Sequence, residues 1–230
     1  MEHGFTWLSA IPGLNELPEH SVTATLVALT LVGLGWIARR QLANAKEPLV
    51  PSGRASTREF FEFIVAFIND MAEGTIGHEG KRYVPFLATF FTFILVANLL
   101  GLVPGFTPPT GNFATTFGLG LVSFLAYNYY GLREHGVAYL KQFVGPILWL
   151  APLMVIVEVL SHVFRPLSLG IRLFGNMFAD HLVLSIFTDL TKAVIPVVFY
   201  ALGAFVCVVQ AFVFTVLSMV YIALAVSHDH

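Results

Sequence analysis

Charge is scarce in this chain. Of its 230 residues 11% are charged, against 57% hydrophobic. A soluble domain has no interior large enough for so much apolar surface, so the composition predicts an integral membrane protein. The net charge of −2 offers no basic excess for nucleic acid. Cysteine is nearly missing: Cys207 stands alone inside an apolar run. That excludes a disulfide framework and a cysteine metal cluster, and leaves Cys207 as a small buried hydrophobe. There is no phosphate-binding loop, no nucleophile elbow and no HExxH, so nothing announces covalent chemistry or a cofactor. No inverted repeat is visible, which argues against a stand-alone channel or secondary transporter. Residues 1–20 carry Glu2, Glu16 and Glu19 but neither Lys nor Arg, so the basic start of a signal peptide is not expected.

What is present is apolar and helical. A first span is predicted over about 20–38, stopped by Arg39 and Arg40. A linker broken by Pro48, Pro51 and Gly53 follows. Phe60, Phe63, Ile64, Phe67 and Met71 then recur at helical spacing, interrupted by Glu59, Glu62, Asn69, Asp70 and Glu73. This predicts an amphipathic helix on the membrane surface, capped by Ser56 or Thr57. Further spans are predicted over about 84–103 and 113–130, separated by the uncharged "PGFTPPTGNF". The second of these ends in "YNYYGL", an interfacial aromatic cluster. Arg39, Arg40, Lys46, Arg54, Arg58, Lys81 and Arg82 fall between the first two spans, and Arg133 and Lys141 after the third. The positive-inside rule puts these segments in the cytoplasm, the N-terminus outside and the C-terminus inside.

The last third behaves differently. The chain stays apolar over about 143–189 and again over about 192–226, whereas an ordinary span needs only about 20 residues. Pro166 alone does not make a loop, and no polar loop divides the first block. The pattern predicts two long helices crossing the membrane obliquely as a hairpin, turning near Asp189–Lys192. The fold class is therefore all-α and membrane-embedded. One membrane domain is read as 1–83 (span, linker and surface helix), 84–142 (a transmembrane hairpin) and 143–230 (the tilted hairpin).

The first long helix carries a polar stripe. Glu158, His162, Arg165, Arg172, Asn176 and Asp180 recur at spacings of one helical face, interrupted by Leu169, with His181 beside it. Ionisable groups are costly inside a membrane, about 3 to more than 10 kcal/mol for a central Arg, so a stripe of them marks a functional aqueous path. With the hairpin turn centred at 190–191, Arg172 is expected opposite Gln210, and Asp180 and His181 opposite Gly203. Arg172 then divides Asn176, Asp180 and His181, toward the outside, from Glu158 and His162, toward the cytoplasm. A guanidinium does not lose its proton at accessible pH, so Arg172 blocks direct passage between the two half-paths and attracts a carboxylate from a partner.

"EVLSHVFRPLSLGIRLFGNMFADHL", "QAFVFTVLSMVYIALA" and the upstream "GHEGKRYVPFLATFFTFILVANLLGLVPGF" resemble subunit a of F-type ATP synthases, well over about 75–230 and loosely before that. The resemblance implies a static proton-conducting subunit of a bacterial inner membrane. It would be non-catalytic and cofactor-free, and would work beside a ring of c proteolipids and a peripheral stalk of b subunits. By position it makes Arg172 the essential arginine, Asn176 and Gln210 its polar neighbours, and Glu158 the cytoplasmic-side acid. It also implies a departure at the inlet. The family often splits an acid and an imidazole between the two helices, whereas here Asp180 and His181 share one helix and Gly203 stands on the other.

A rival reading is a haem- or quinone-binding redox subunit, since His135, His162 and His181 lie in or near apolar segments. Against it, the last helix offers no histidine before His228 to face them. The terminal "SHDH" reads as a solvated tail.

Overall fold

The chain is described by a computed structural model covering residues 18–43, 56–136, 139, 151–190 and 194–227. Every regular element among them is helical: α1 (Glu19–Ala43), α2 (Thr57–Ile76), α3 (Val84–Leu100), α4 (Phe113–His135), α5 (Ala151–Leu190) and α6 (Val194–Val226), with short 3-10 turns at His78–Arg82 and Pro109–Gly111. They fall into two compact units, Met1–Pro109 and Thr110–His230. The break separates α3 from α4, inside the segment that hydropathy groups as one hairpin.

In the first unit α2 packs against α1 and α3. Ser56 caps α2 by accepting a hydrogen bond from the Glu59 N–H, satisfying one of the free donors of its first turn. Gly77 ends it at φ +89°, a left-handed conformation open to glycine. The inward face of α2 is Ile64, Ile68 and Ala72, one residue per turn. Phe60, Phe63 and Phe67 remain exposed, so the apolar side expected of this helix is split between a packed stripe and an uncovered aromatic one. Arg58 is buried along its stem and donates from Nε to Glu62 Oε1 at 2.6 Å. α3 is apolar all round, and ten of its 17 residues are buried, so it supplies most of this unit's core.

The second unit is α4, α5 and α6. The Asn112 side chain caps α4, accepting from the Ala114 N–H at 2.8 Å. α5 is one helix of 40 residues that continues through Pro166. Pro166 has no N–H to give the His162 carbonyl, but with no polar loop nearby the chain gains nothing by turning there. At 1.5 Å per residue α5 is about 60 Å long, and α6, with 33 residues, about 50 Å. A hydrocarbon core about 30 Å thick holds such helices only if they cross it obliquely or project from it. α1, α5 and α6 are long and apolar enough to cross a membrane, while α3 is a shorter apolar helix.

Glycines set how closely α4 meets α5. A Cβ on Gly120 would lie 2.5 Å from the Pro166 carbonyl oxygen, and one on Gly170 would lie 3.0 Å from Phe117 Cα. Around that crossing Phe113 meets Phe174, and Phe124 and Tyr127 meet His162, so the two helices run antiparallel. Ser123 donates to Ser218 at 2.8 Å, Tyr127 packs on Tyr221, and Gly131 lies against the Ala225 carbonyl, so α4 and α6 run parallel.

Candidate functional site

Contacts between described residues fix how α5 lies along α6. Asn176 Nδ2 donates to Gln210 Oε1 at 2.5 Å. Phe187 stacks on Phe199 with centroids 4.3 Å apart. The Arg165 guanidinium lies 5.3 Å from the Tyr221 ring centroid. All three agree on a single antiparallel register, displaced by one helical turn from the one a turn at 190–191 implies. Gln210 therefore meets Asn176 rather than Arg172, and Asp180 comes level with Val206 and Cys207 rather than with Gly203. Gly203 is buried one turn beyond Cys207 on the same face of α6. Asp189 and Leu190, expected in the turn, still belong to α5; the connection at 191–193 lies outside the described residues, as do residues 228–230 of the terminal "SHDH". A short change in loop length shifts every pairing, and composition alone does not give that length.

The buried face of α5 is apolar, with Leu169, Leu173 and Met177 at its centre; Glu158, His162, Arg165, Asp180 and His181 are half-buried, and Arg172 and Asn176 are exposed. Gln210 is 3% exposed and shares its carbonyl oxygen with Asn176; among the described residues its amide nitrogen has no hydrogen-bond partner. Nearer the start of α5, His162 Nδ1 lies 3.1 Å from the Glu158 backbone oxygen and 3.7 Å from Glu158 Oε1. An i,i+4 spacing stacks these two side chains on one face. The His162 ring packs against Tyr127 at 5.8 Å and Phe124 at 6.5 Å. Tyr127 is 1% exposed, so this residue of the "YNYYGL" cluster is interior, whereas its neighbour Tyr129 is outward-facing as expected of an interfacial tyrosine.

Toward the other end, Asp180 and His181 are adjacent on α5 and within electrostatic reach of one another, although successive residues on a helix point about 100° apart. Asp180 is half-buried at the seam, within electrostatic reach of Cys207 on α6. The Nε2 atom of His181 is buried with no hydrogen-bond partner among the described residues. Arg172 is exposed on α5, and no carboxylate among the described residues pairs with it. A guanidinium without a carboxylate partner is costly to place in a membrane.

Sequence reasoning missed the Ser123–Ser218 pair, in which both hydroxyls are buried. A serine in an apolar run carries no signal of its partner. Just beyond α4, Tyr139 donates to Asn128 Oδ1 at 3.1 Å. Burial, reinforced by the neighbouring Tyr127, pushes the Tyr139 hydroxyl up to about 12, so it donates as a neutral phenol throughout the physiological range.

These features define an all-helical, multi-pass membrane protein whose interior seam holds carboxylate, imidazole, amide and guanidinium groups. Residues 21–223 match the model of the ATP synthase A chain family. A protein named ATP synthase subunit a from Bdellovibrio bacteriovorus is 48% identical over 227 residues, covering 98% of this chain and 99% of its own. Proteins of the same name from Geobacter sulfurreducens (45% over 205 residues; 89% of this chain, 85% of that one) and Citrifermentans bemidjiense (42% over 219 residues; 95% and 92%) are also similar. The chain belongs to the ATP synthase A chain family.

Proposed function

We propose that the chain is the static, non-catalytic proton-conducting subunit of an ATP synthase membrane sector, seated in the bacterial inner membrane. Its seam serves as two offset half-channels. Protons enter from outside past Asp180, His181 and Asn176 and neutralise a carboxylate on a ring of c proteolipids beside Arg172. The neutral carboxyl then turns into lipid, where a charged one would be too costly. After nearly a full turn another carboxyl reaches the cytoplasmic half-channel at Glu158 and His162, releases its proton and pairs with Arg172. A potential of 100 mV supplies about 2.3 kcal/mol for each charge moved. Peripheral-stalk b subunits hold the chain still against the ring.

One observation carries this reading: Arg172 is a permanent cation exposed on a largely apolar helix, and no carboxylate among the described residues pairs with it. A charge so placed calls for an acid from a partner that approaches that face through the membrane. Gln210 and Asn176 support it, because they supply amide dipoles one turn along the same seam.

The test is Arg172→Ala in the assembled complex, in inverted membrane vesicles. ATP-driven proton pumping should disappear, and passive leak should rise as the barrier between half-channels is lost. Coupled pumping at the parental rate in that variant defeats the reading.

A further inference from the structure

We infer that Arg165 is a positioning residue for the cytoplasmic half of the seam. Resting against both Tyr127 and Tyr221, it locks α4, α5 and α6 together beside the Glu158–His162 pair and keeps a second permanent positive charge between that pair and Arg172. The inference rests on the reading above.

The geometry begins with the rings. The Arg165 guanidinium carbon lies 5.7 Å from the Tyr127 centroid on α4 and 5.3 Å from the Tyr221 centroid on α6. The two rings are themselves 5.9 Å apart. Both distances to the cation fall within about 6 Å, where a ring face attracts it, and the attraction grows as water is removed. A merely snorkelling arginine would extend toward water at the helix end. Arg165 instead lies mid-helix against two rings from two other helices. Tyr127 touches the imidazole of His162 as well, so a single buried ring links the guanidinium to the His162–Glu158 pair.

Placement along α5 explains the use. Arg165 is seven residues before Arg172, two turns and about 10 Å nearer the start of the helix, on nearly the same face. It is three residues after His162, within electrostatic reach of that ring. A proton leaving toward Glu158 therefore passes a charge that cannot be neutralised. The clamp fixes where that charge stands relative to His162 and Glu158, and prevents α4 and α6 from drifting away from them.

The experiment uses the complete complex reconstituted in vesicles, with assembly checked by subunit content. Arg165→Met and Tyr221→Leu should each slow ATP-driven proton pumping about ten-fold, and the double variant should be no slower than the worse single. Arg165→Lys keeps the charge and Tyr221→Phe keeps the ring, so both should retain most of the rate. A role in packing alone would not distinguish lysine from methionine in that way. Arg165→Met pumping at the parental rate, Arg165→Lys as slow as Arg165→Met, or multiplied effects in the double variant each overturn the inference. Where Arg165→Met complexes fail to assemble, the Tyr221 pair decides: Leu slow with Phe fast supports the clamp, and equal rates overturn it. Arg172→Ala runs alongside. If it pumps normally, the half-channel reading fails. If it is inactive while Arg165→Met pumps normally, the clamp alone fails.

Discussion

Asp180, Asn176 and Arg172 share one face of α5, yet each meets different surroundings. Arg172 is exposed, Asn176 is held by Gln210, and Asp180 sits half-buried near Cys207. Asp180→Asn keeps the shape but cannot relay a proton, so it should slow proton pumping by roughly ten-fold or more with the complex intact. The α5–α6 register adds a sharper expectation. Cys207→Asp, added to Asp180→Asn, returns an acid at the same level and should restore part of the rate. Gly203→Glu places its acid one turn further out and should restore less. Pumping rates of the two double variants, measured side by side, check this; a better rescue at 203 than at 207 would mean the register is wrong. The stripe itself was legible because ionisable residues at helical spacing stand out in an apolar run. Which residue on α6 each one meets was not, because that depends on a connection only a few residues long. Tyr127 and Ser123 were illegible as interior groups for a related reason: a hydroxyl in an apolar helix looks alike whether it faces lipid or a partner.

At the scale of elements, the α4–α5 crossing depends on the missing side chain at Gly120. Gly120→Ala would push a methyl to 2.5 Å from the Pro166 carbonyl oxygen, and backbone on both sides must move. Overpacking of this kind costs about 1–3 kcal/mol. Gly118, two residues earlier, has open space around its Cβ position, so Gly118→Ala is the control and should be neutral or slightly stabilising. Thermal unfolding of the purified chain in detergent should show a lower midpoint for Gly120→Ala and none of that drop for Gly118→Ala. Equal midpoints would mean that the helices are not in close contact there. α5 as a single helix through Pro166 could be read from the sequence, because no polar residues offered a loop and backbone groups inside a bilayer must pair internally. The close approach of Gly120 to Pro166 could not, since it joins positions 46 residues apart.

For the whole molecule the question is which side of the membrane each end occupies. Basic residues crowd after α1 and after α4, which predicts an external start and a cytoplasmic end. Single cysteines at positions 20 and 227 in a Cys207→Ala background, labelled with an impermeant maleimide, should react from opposite faces. Reaction from the same face would require an even number of crossings, and would overturn the orientation given to both half-channels.

Composition alone determined that this chain belongs in a membrane and is helical, because apolar surface in such excess has no other solvent and spanning backbone must bond within itself. The spacing of Glu158, His162, Arg172, Asn176 and Asp180 determined that these polar residues share one side of a single helix, since periodicity is local. Tertiary structure decided the rest: that Gln210 holds Asn176, that Asp180 comes level with Cys207, and that Arg165 rests against both Tyr127 and Tyr221. Each of these joins residues far apart in sequence. Their meeting follows from helix register and close packing, which no local pattern encodes.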